Sequence, residues 1–161
     1  MDVREATEAD LERVSTITVE SYVGDGLVRP DSPYVDTLAD AASRHANGGL
    51  LVAVDGAGVV VGAVTYAEHG TPYAEVSGPG EAEFRMLAVA GAARQGGVGE
   101  TLVRACLERA RAGGCACLRL STQPDMLAAR RLYDRLGFRR TPERDWSPLP
   151  GVELLTYEIA P

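Results

Sequence analysis

The chain has 161 residues, 45% of them apolar and 24% charged, with 23 acidic against 16 basic side chains and a formal charge of −7. That length is expected to form one domain spanning 1–161 with a sizeable core. The acidic balance argues against nucleic acid, whose phosphates demand a basic surface, and favours a cationic small-molecule partner.

Val3-Arg4-Glu5-Ala6 reads as a short opening strand. Thr7 caps a helix, with Asp10 in the capping-box position and Leu11, Val14 and Ile17 facing inward. Residues 22–33 hold two prolines and two glycines and read as a loop or broken helix. A second helix is expected over 34–46, stopped by Gly48-Gly49. Leu50–Val54 and Val59–Tyr66 flank Asp55-Gly56-Ala57-Gly58, a hairpin signal. Residues 69–80, HGTPYAEVSGPG, form a polar, glycine-rich loop that is either a substrate lid or a long connection.

The most telling stretch is 81–112, EAEFRMLAVAGAARQGGVGETLVRACLERARA. A strand ending at Val89 leads into a glycine turn and then an amphipathic helix over about 98–112. Such a unit presents unpaired backbone N–H groups to a phosphorylated ligand. It is not a P-loop, because Glu100-Thr101 follows Gly99 where Lys-Ser/Thr is required. Nor is it a dinucleotide turn, because Leu102 stands where the third glycine should be. Arg/Gln-x-x-Gly-x-Gly does fit, as Arg94, Gly97 and Gly99.

A second block, LRLSTQPDMLAARRLYDRLGFRR at 118–140, reads as strand, turn and helix, with Ala129, Leu132, Tyr133 and Leu136 on one stripe. Gly137 stops the helix and a strand begins at Phe138. A further strand lies near 152–158, after a proline-rich hairpin connection that bears Trp146, the only tryptophan. Both blocks together resemble the GCN5-related N-acetyltransferases (GNAT), in the family's order and over essentially the whole chain.

The resemblance implies an α/β fold, with a mixed, mostly antiparallel sheet of about seven strands flanked by helices. Acetyl-CoA would lie in a cleft where central strands splay. The backbones of Leu87, Ala88 and Val89 would hold the pantetheine arm. Arg94, Gln95, Gly96, Gly97, Val98 and Gly99 would wrap the pyrophosphate. Glu83, six residues before Val89, would be the base that deprotonates the amine, with Glu81 a weaker substitute; a solvated strand-edge glutamate is the plain alternative. Tyr133 would be the acid that protonates the departing thiolate, although its spacing alone reads as core. Period two places Glu83, Arg85, Leu87 and Val89 on one face. Many relatives carry an asparagine where this chain has Met126, which cannot make the same polar contact.

Tyr22, Tyr34, Tyr73 and Trp146 are candidates for an acceptor pocket, since aromatic faces suit an ammonium group; each also reads as packing. His69 adjoins the 69–80 loop. Cys106, Cys115 and Cys117 form neither a disulfide framework nor a zinc site, so no metal is expected. Without a nearby activating histidine they do not suggest an acyl-enzyme. No signal peptide is recognisable and no apolar run approaches the ~20 residues of a membrane span, so the expectation is a cytoplasmic protein with no membrane partner. The expected reaction is direct acetyl transfer to a small-molecule amine. The alternatives are a protein N-terminal or lysine acetyltransferase, and a CoA-binding sensor with little catalysis. Homodimers through the C-terminal strands are common in the family.

Overall fold

The computed structural model describes residues 1–161. Eight strands form one sheet: β1 (Asp2–Glu5), β2 (Leu50–Val54), β3 (Val60–Glu68), β4 (Ala82–Val89), β5 (Leu118–Thr122), β6 (Arg139–Arg140), β7 (Trp146–Leu149) and β8 (Val152–Ile159). Their order is β1-β2-β3-β4-β5-β8-β6, with β7 on β8. All pairs are antiparallel except β4 with β5.

Five helices cover the sheet: α1 (Leu11–Gly24), α2 (Tyr34–Ala39), α3 (Ala41–Ala46), α4 (Val98–Ala112) and α5 (Leu127–Leu136). On one face Leu102, Val103 and Cys106 of α4 and Tyr133 of α5 pack on Leu51, Val64, Phe84 and Leu120. On the other, Val14 and Ile17 of α1 and Ala41 of α3 pack on Val52, Ala63 and Ala88. No helix is long and apolar enough to cross a membrane.

Local signals explain most boundaries. The Thr7 N–H donates to Asp10 Oδ2 at 2.7 Å, the reach-back bond of the expected capping box. Asp55 Oδ1 accepts from the N–H groups of Ala57 and Val59 at 2.9 Å, which closes the β2–β3 turn.

Three expectations are corrected. The helix expected over 34–46 is broken at Asp40, whose carboxylate instead accepts from the Ser43 N–H at 3.0 Å and starts α3. Arg44 of α3, fully buried, donates to the carbonyls of Thr37 and Leu38 at 2.8 and 3.0 Å, so it stabilises the end of α2. Helix α1 runs on to Gly24, so the loop or broken helix expected from residue 22 starts only after it. The proline-rich connection contains a strand, β7, paired with β8 through Trp146↔Leu154 and Leu149↔Val152.

Candidate active site

Strand β4 forms the floor of the site, and one residue sets its course. Met86 has φ +54°, a left-handed conformation that is costly for a residue with a side chain. Pairing with β3 jumps there from Thr65↔Arg85 to Ala63↔Ala88. Met86 and Leu87 therefore oppose the single residue Val64, a β-bulge, and bulges of this kind re-aim side chains next to functional sites.

The bulge changes which residues share a face. Glu83, Arg85 and Met86 line a cavity on one side of the sheet, while Leu87 and Val89 pack with Phe84 in the core under α4 and α5. The period-two reading that grouped Glu83 and Arg85 with Leu87 and Val89 is thus corrected. One extra residue after Arg85 reverses the alternation.

From Phe84 onward, before the bulge, β4 has no second neighbour. Only Ala82↔Leu118 and Glu83↔Arg119 pair with β5, whose later residues pair with β8 alone. The Ala90 N–H donates to Val61 on the β3 side at 2.8 Å. By alternation, Leu87 and Val89 turn their backbone groups to the open side. At the end of this cleft the chain makes a 3-10 turn, Gly91–Ala93, and enters α4. Gln95 (φ +65°) and Gly97 (φ +80°) both take left-handed conformations there. The N–H groups of Val98, Gly99 and Glu100 have no backbone acceptor, and Thr101 is the first to bond, to Gly97 O at 3.0 Å. Free donors and the positive end of α4 suit a pyrophosphate. The turn packs against β3, where a Cβ on Gly62 would lie 2.7 Å from Val98 Cγ1. Arg94 does not stand free beside these donors. Its guanidinium makes a two-pronged pair with Asp25 at the end of α1, at 2.9 and 3.0 Å.

The cavity beside the bulge has a volume of about 620 Å3. Residues 27–29 and 31–34 line it, together with Trp146, Pro148, Leu149, Val152 and Leu154 of the β7–β8 hairpin. Trp146 is fixed by its indole N–H, which donates to Ser121 Oγ at 3.1 Å. Tyr22 and Tyr34 also line the cavity. Tyr73 does not; its hydroxyl donates to Ser43 Oγ at 2.8 Å.

Glu83 is 1% exposed. Its Oε1 accepts from the N–H groups of Glu75, Val76 and Ser77 at 2.7, 2.9 and 3.0 Å, and from Ser77 Oγ at 2.9 Å. The 69–80 loop is therefore anchored to β4 through residues 75–77. His69 belongs to the same anchoring, with Nδ1 2.7 Å from Ser77 O. Tyr133 points from α5 into a cluster with Phe84, Phe138 and Tyr157, at ring-centre distances of 5.9, 5.7 and 5.8 Å. Burial first, and then the Tyr22 phenol, push its hydroxyl well above the ordinary phenol range, which keeps it protonated.

The family model described as "Acetyltransferase (GNAT) family" matches residues 11–138. The chain belongs to that family. It is 29% identical over 127 residues to an uncharacterised N-acetyltransferase of Schizosaccharomyces pombe, covering 78% of this chain and 74% of the relative. It is similar to a ribosomal-protein-alanine N-acetyltransferase from Brucella melitensis, at 25% identity and a TM-score of 0.73, with 100% of both chains covered. The fold is also that of YncA, a putative acetyltransferase from Salmonella typhimurium solved with acetyl-CoA; there the identity is 21%, the TM-score 0.70 and the coverage 99% and 93%.

As a GNAT acetyltransferase the chain has some features that its sequence did not announce. Glu75 lines the cavity beside Arg85, its Oε1 2.8 Å from Arg85 Nη2. Nothing in a polar loop of glycines and prolines marks it out. Met126, at the start of α5, lines the cavity and accepts from Thr122 Oγ1 at 3.3 Å, so its sulfur takes part in a local polar contact. Glu81 is removed from the acid–base candidates. Arg119 binds both its oxygens at 2.9 Å and holds its carboxyl down to about 2. Burial pushes the Cys106 thiol up to about 12, and burial with Glu81 pushes Cys117 up to about 11, so neither is a thiolate at neutral pH. No group of three or more His, Cys, Asp or Glu side chains is placed to hold a metal ion.

Proposed function

We propose that the protein, acting as one catalytic domain, transfers the acetyl group of acetyl-CoA to the primary amine of a small molecule held in the cavity at the Met86 bulge. The observation that carries this reading is the cavity itself. At about 620 Å3 it falls in the range of small-molecule sites, with apolar walls, aromatic faces and a few convergent charges. It adjoins the cleft where β4 parts from β5, so a thioester lying along Leu87–Val89 would bring its carbonyl to the cavity floor.

The reaction needs the amine to lose a proton, the carbonyl oxygen to be stabilised, and the thiolate to leave. Glu83 and Glu75 both line the cavity, Glu75 paired with Arg85. The Leu87 N–H, on the open side of β4, supplies a donor for the carbonyl oxygen. Tyr133, kept protonated by burial, is the acid for the departing sulfur. The backbone donors from Gln95 to Gly99, with Arg94, hold the pyrophosphate. Attack is direct in this reading: no cysteine lines the cavity, and burial disfavours the thiolates of Cys106 and Cys117.

The likeness to a ribosomal-protein-alanine N-acetyltransferase supports a second acceptor class, a protein N-terminus. Mass spectrometry decides between them. Acetyl-CoA is supplied with a mixture of small amines, amino acids and short peptides with free N-termini. An acetylated small amine is expected. Acetylated peptides alone would select the second class, and tight acetyl-CoA binding without product would select a sensor.

A further inference from the structure

The base that deprotonates the acceptor must touch the amine and then release its proton to water. Glu83 meets neither condition well. It is 1% exposed, and four donors converge on Oε1, so only Oε2 is left to accept, from a side chain that is otherwise locked in place. Those donors have another consequence. Three are consecutive backbone N–H groups, beginning with that of Glu75, so Glu83 fixes the backbone from which the Glu75 side chain projects. That side chain is 39% exposed at the cavity wall.

We infer that Glu75 is the catalytic carboxylate that takes the amine proton, and that Glu83 is a positioning residue that holds Glu75 in place. The inference rests on amine acetylation in this cavity. Arg85 orients Glu75 through the 2.8 Å ion pair. It is itself kept in position by Tyr73 O at 3.3 Å and the Tyr34 hydroxyl at 3.4 Å, so it stays when Glu75 is protonated. Burial first, opposed by Arg85 and reinforced by the charge of Glu83, raises the Glu75 carboxyl above its ordinary value. That brings it nearer the working pH of a general base. The charges acting on it are Arg85 and Glu83 on β4; the other titratable groups lining the same cavity are Tyr22 on α1, Tyr34 on α2 and Arg29 and Asp31 before α2, with Tyr73 on its own loop under Arg85 and Arg144 donating to Val76 O at 3.3 Å.

In the step, an N–H bond of the ammonium breaks and its proton passes to Glu75. The freed lone pair forms the C–N bond at the thioester carbonyl carbon, and the C–S pair leaves on sulfur. The second nitrogen proton replaces the one Tyr133 gives to sulfur, and Glu75 returns its proton to water.

The test is the pH dependence of kcat/KM on one acetylated amine for the wild type, Glu75→Gln and Glu83→Gln, alongside melting curves and CoA binding. Glu75→Gln is expected to lose about 100-fold at neutral pH and to recover as the pH approaches the amine's own pKa of ~10. Its melting temperature and CoA affinity should match the wild type. Glu83→Gln is expected to keep the acidic limb of the profile and to raise KM, because the loop is loosened. In the unliganded protein, carboxyl NMR should give Glu75 a midpoint above ~4.3. An active wild type whose acidic limb survives Glu75→Gln but not Glu83→Gln overturns this inference alone. A wild type that acetylates no amine overturns the functional reading, and this inference with it.

Discussion

Oε1 of Glu83 lies 3.0 Å from the Ser77 N–H and 2.9 Å from the Ser77 hydroxyl, so a buried strand carboxylate and a loop serine meet at one atom. The N–H groups of Glu75 and Val76 reach the same oxygen. Removing the acceptor with Glu83→Ala strands several donors, at about 1–3 kcal/mol for each one that finds no water. Chemical denaturation should show a loss of about 2–4 kcal/mol in total. Glu83→Gln keeps an acceptor oxygen and should lose markedly less.

Tyr133→Phe separates packing from chemistry. The ring packs against Phe84, Phe138 and Tyr157, and the substitution keeps it. The melting temperature should hardly move, while kcat falls about 100-fold or more if the phenol protonates the thiolate. In the wild type, burial holds the phenol protonated, so Tyr133 should add no alkaline limb to the rate below about pH 10.

Acid stability should depend visibly on Glu81. Arg119, reinforced by the Gly78 N–H and the Cys117 thiol, holds its carboxyl at about 2 in the folded protein, against ~4.3 when unfolded. A lowered folded value gives a stabilisation that is complete above the unfolded pKa and is lost as pH falls through the folded one. Melting temperature should therefore drop between about pH 5 and pH 2, and Glu81→Gln should make that drop shallower. It should not abolish it, because Arg4 and Arg140 hold Asp10 and Asp145 at about 2 in the same way.

The pairing of Arg94 with Asp25 makes a prediction about cofactor affinity. Both side chains are more than 40% exposed, so the pair itself is worth roughly 0.2–1 kcal/mol. Asp25→Asn frees the guanidinium for the pyrophosphate, and calorimetry should show CoA binding tightened about threefold. Arg94→Ala should weaken it about tenfold. If neither variant changes the affinity, Arg94 takes no part in binding.

Much of this protein is legible in local sequence because local physics sets it. Gly97 takes the left-handed conformation at the start of α4, Gly137 does so at the end of α5, and the Asp55 turn closes the hairpin. Each needs only a few neighbouring residues. The break at Asp40 was hidden because residues 34–46 carry a helical pattern throughout. It is stabilised by the buried Arg44 guanidinium capping α2, a contact that no periodicity displays. Strand β7 was hidden by Pro148, which an edge strand tolerates where a central one does not.

By itself the sequence determined the family, the turn with free N–H groups before α4, and the elements carrying Glu83 and Tyr133, because those follow from residue types at short spacings. The tertiary structure alone decided how two carboxylates, Glu83 and Glu75, come to line one cavity. A single left-handed residue, Met86, shifts the strand's alternation, and a bond across six positions, from Ser77 to Glu83, anchors the loop that carries the half-exposed Glu75. Such assignments depend on which atoms meet after the sheet has closed, and that is a property of the folded packing rather than of any stretch of chain.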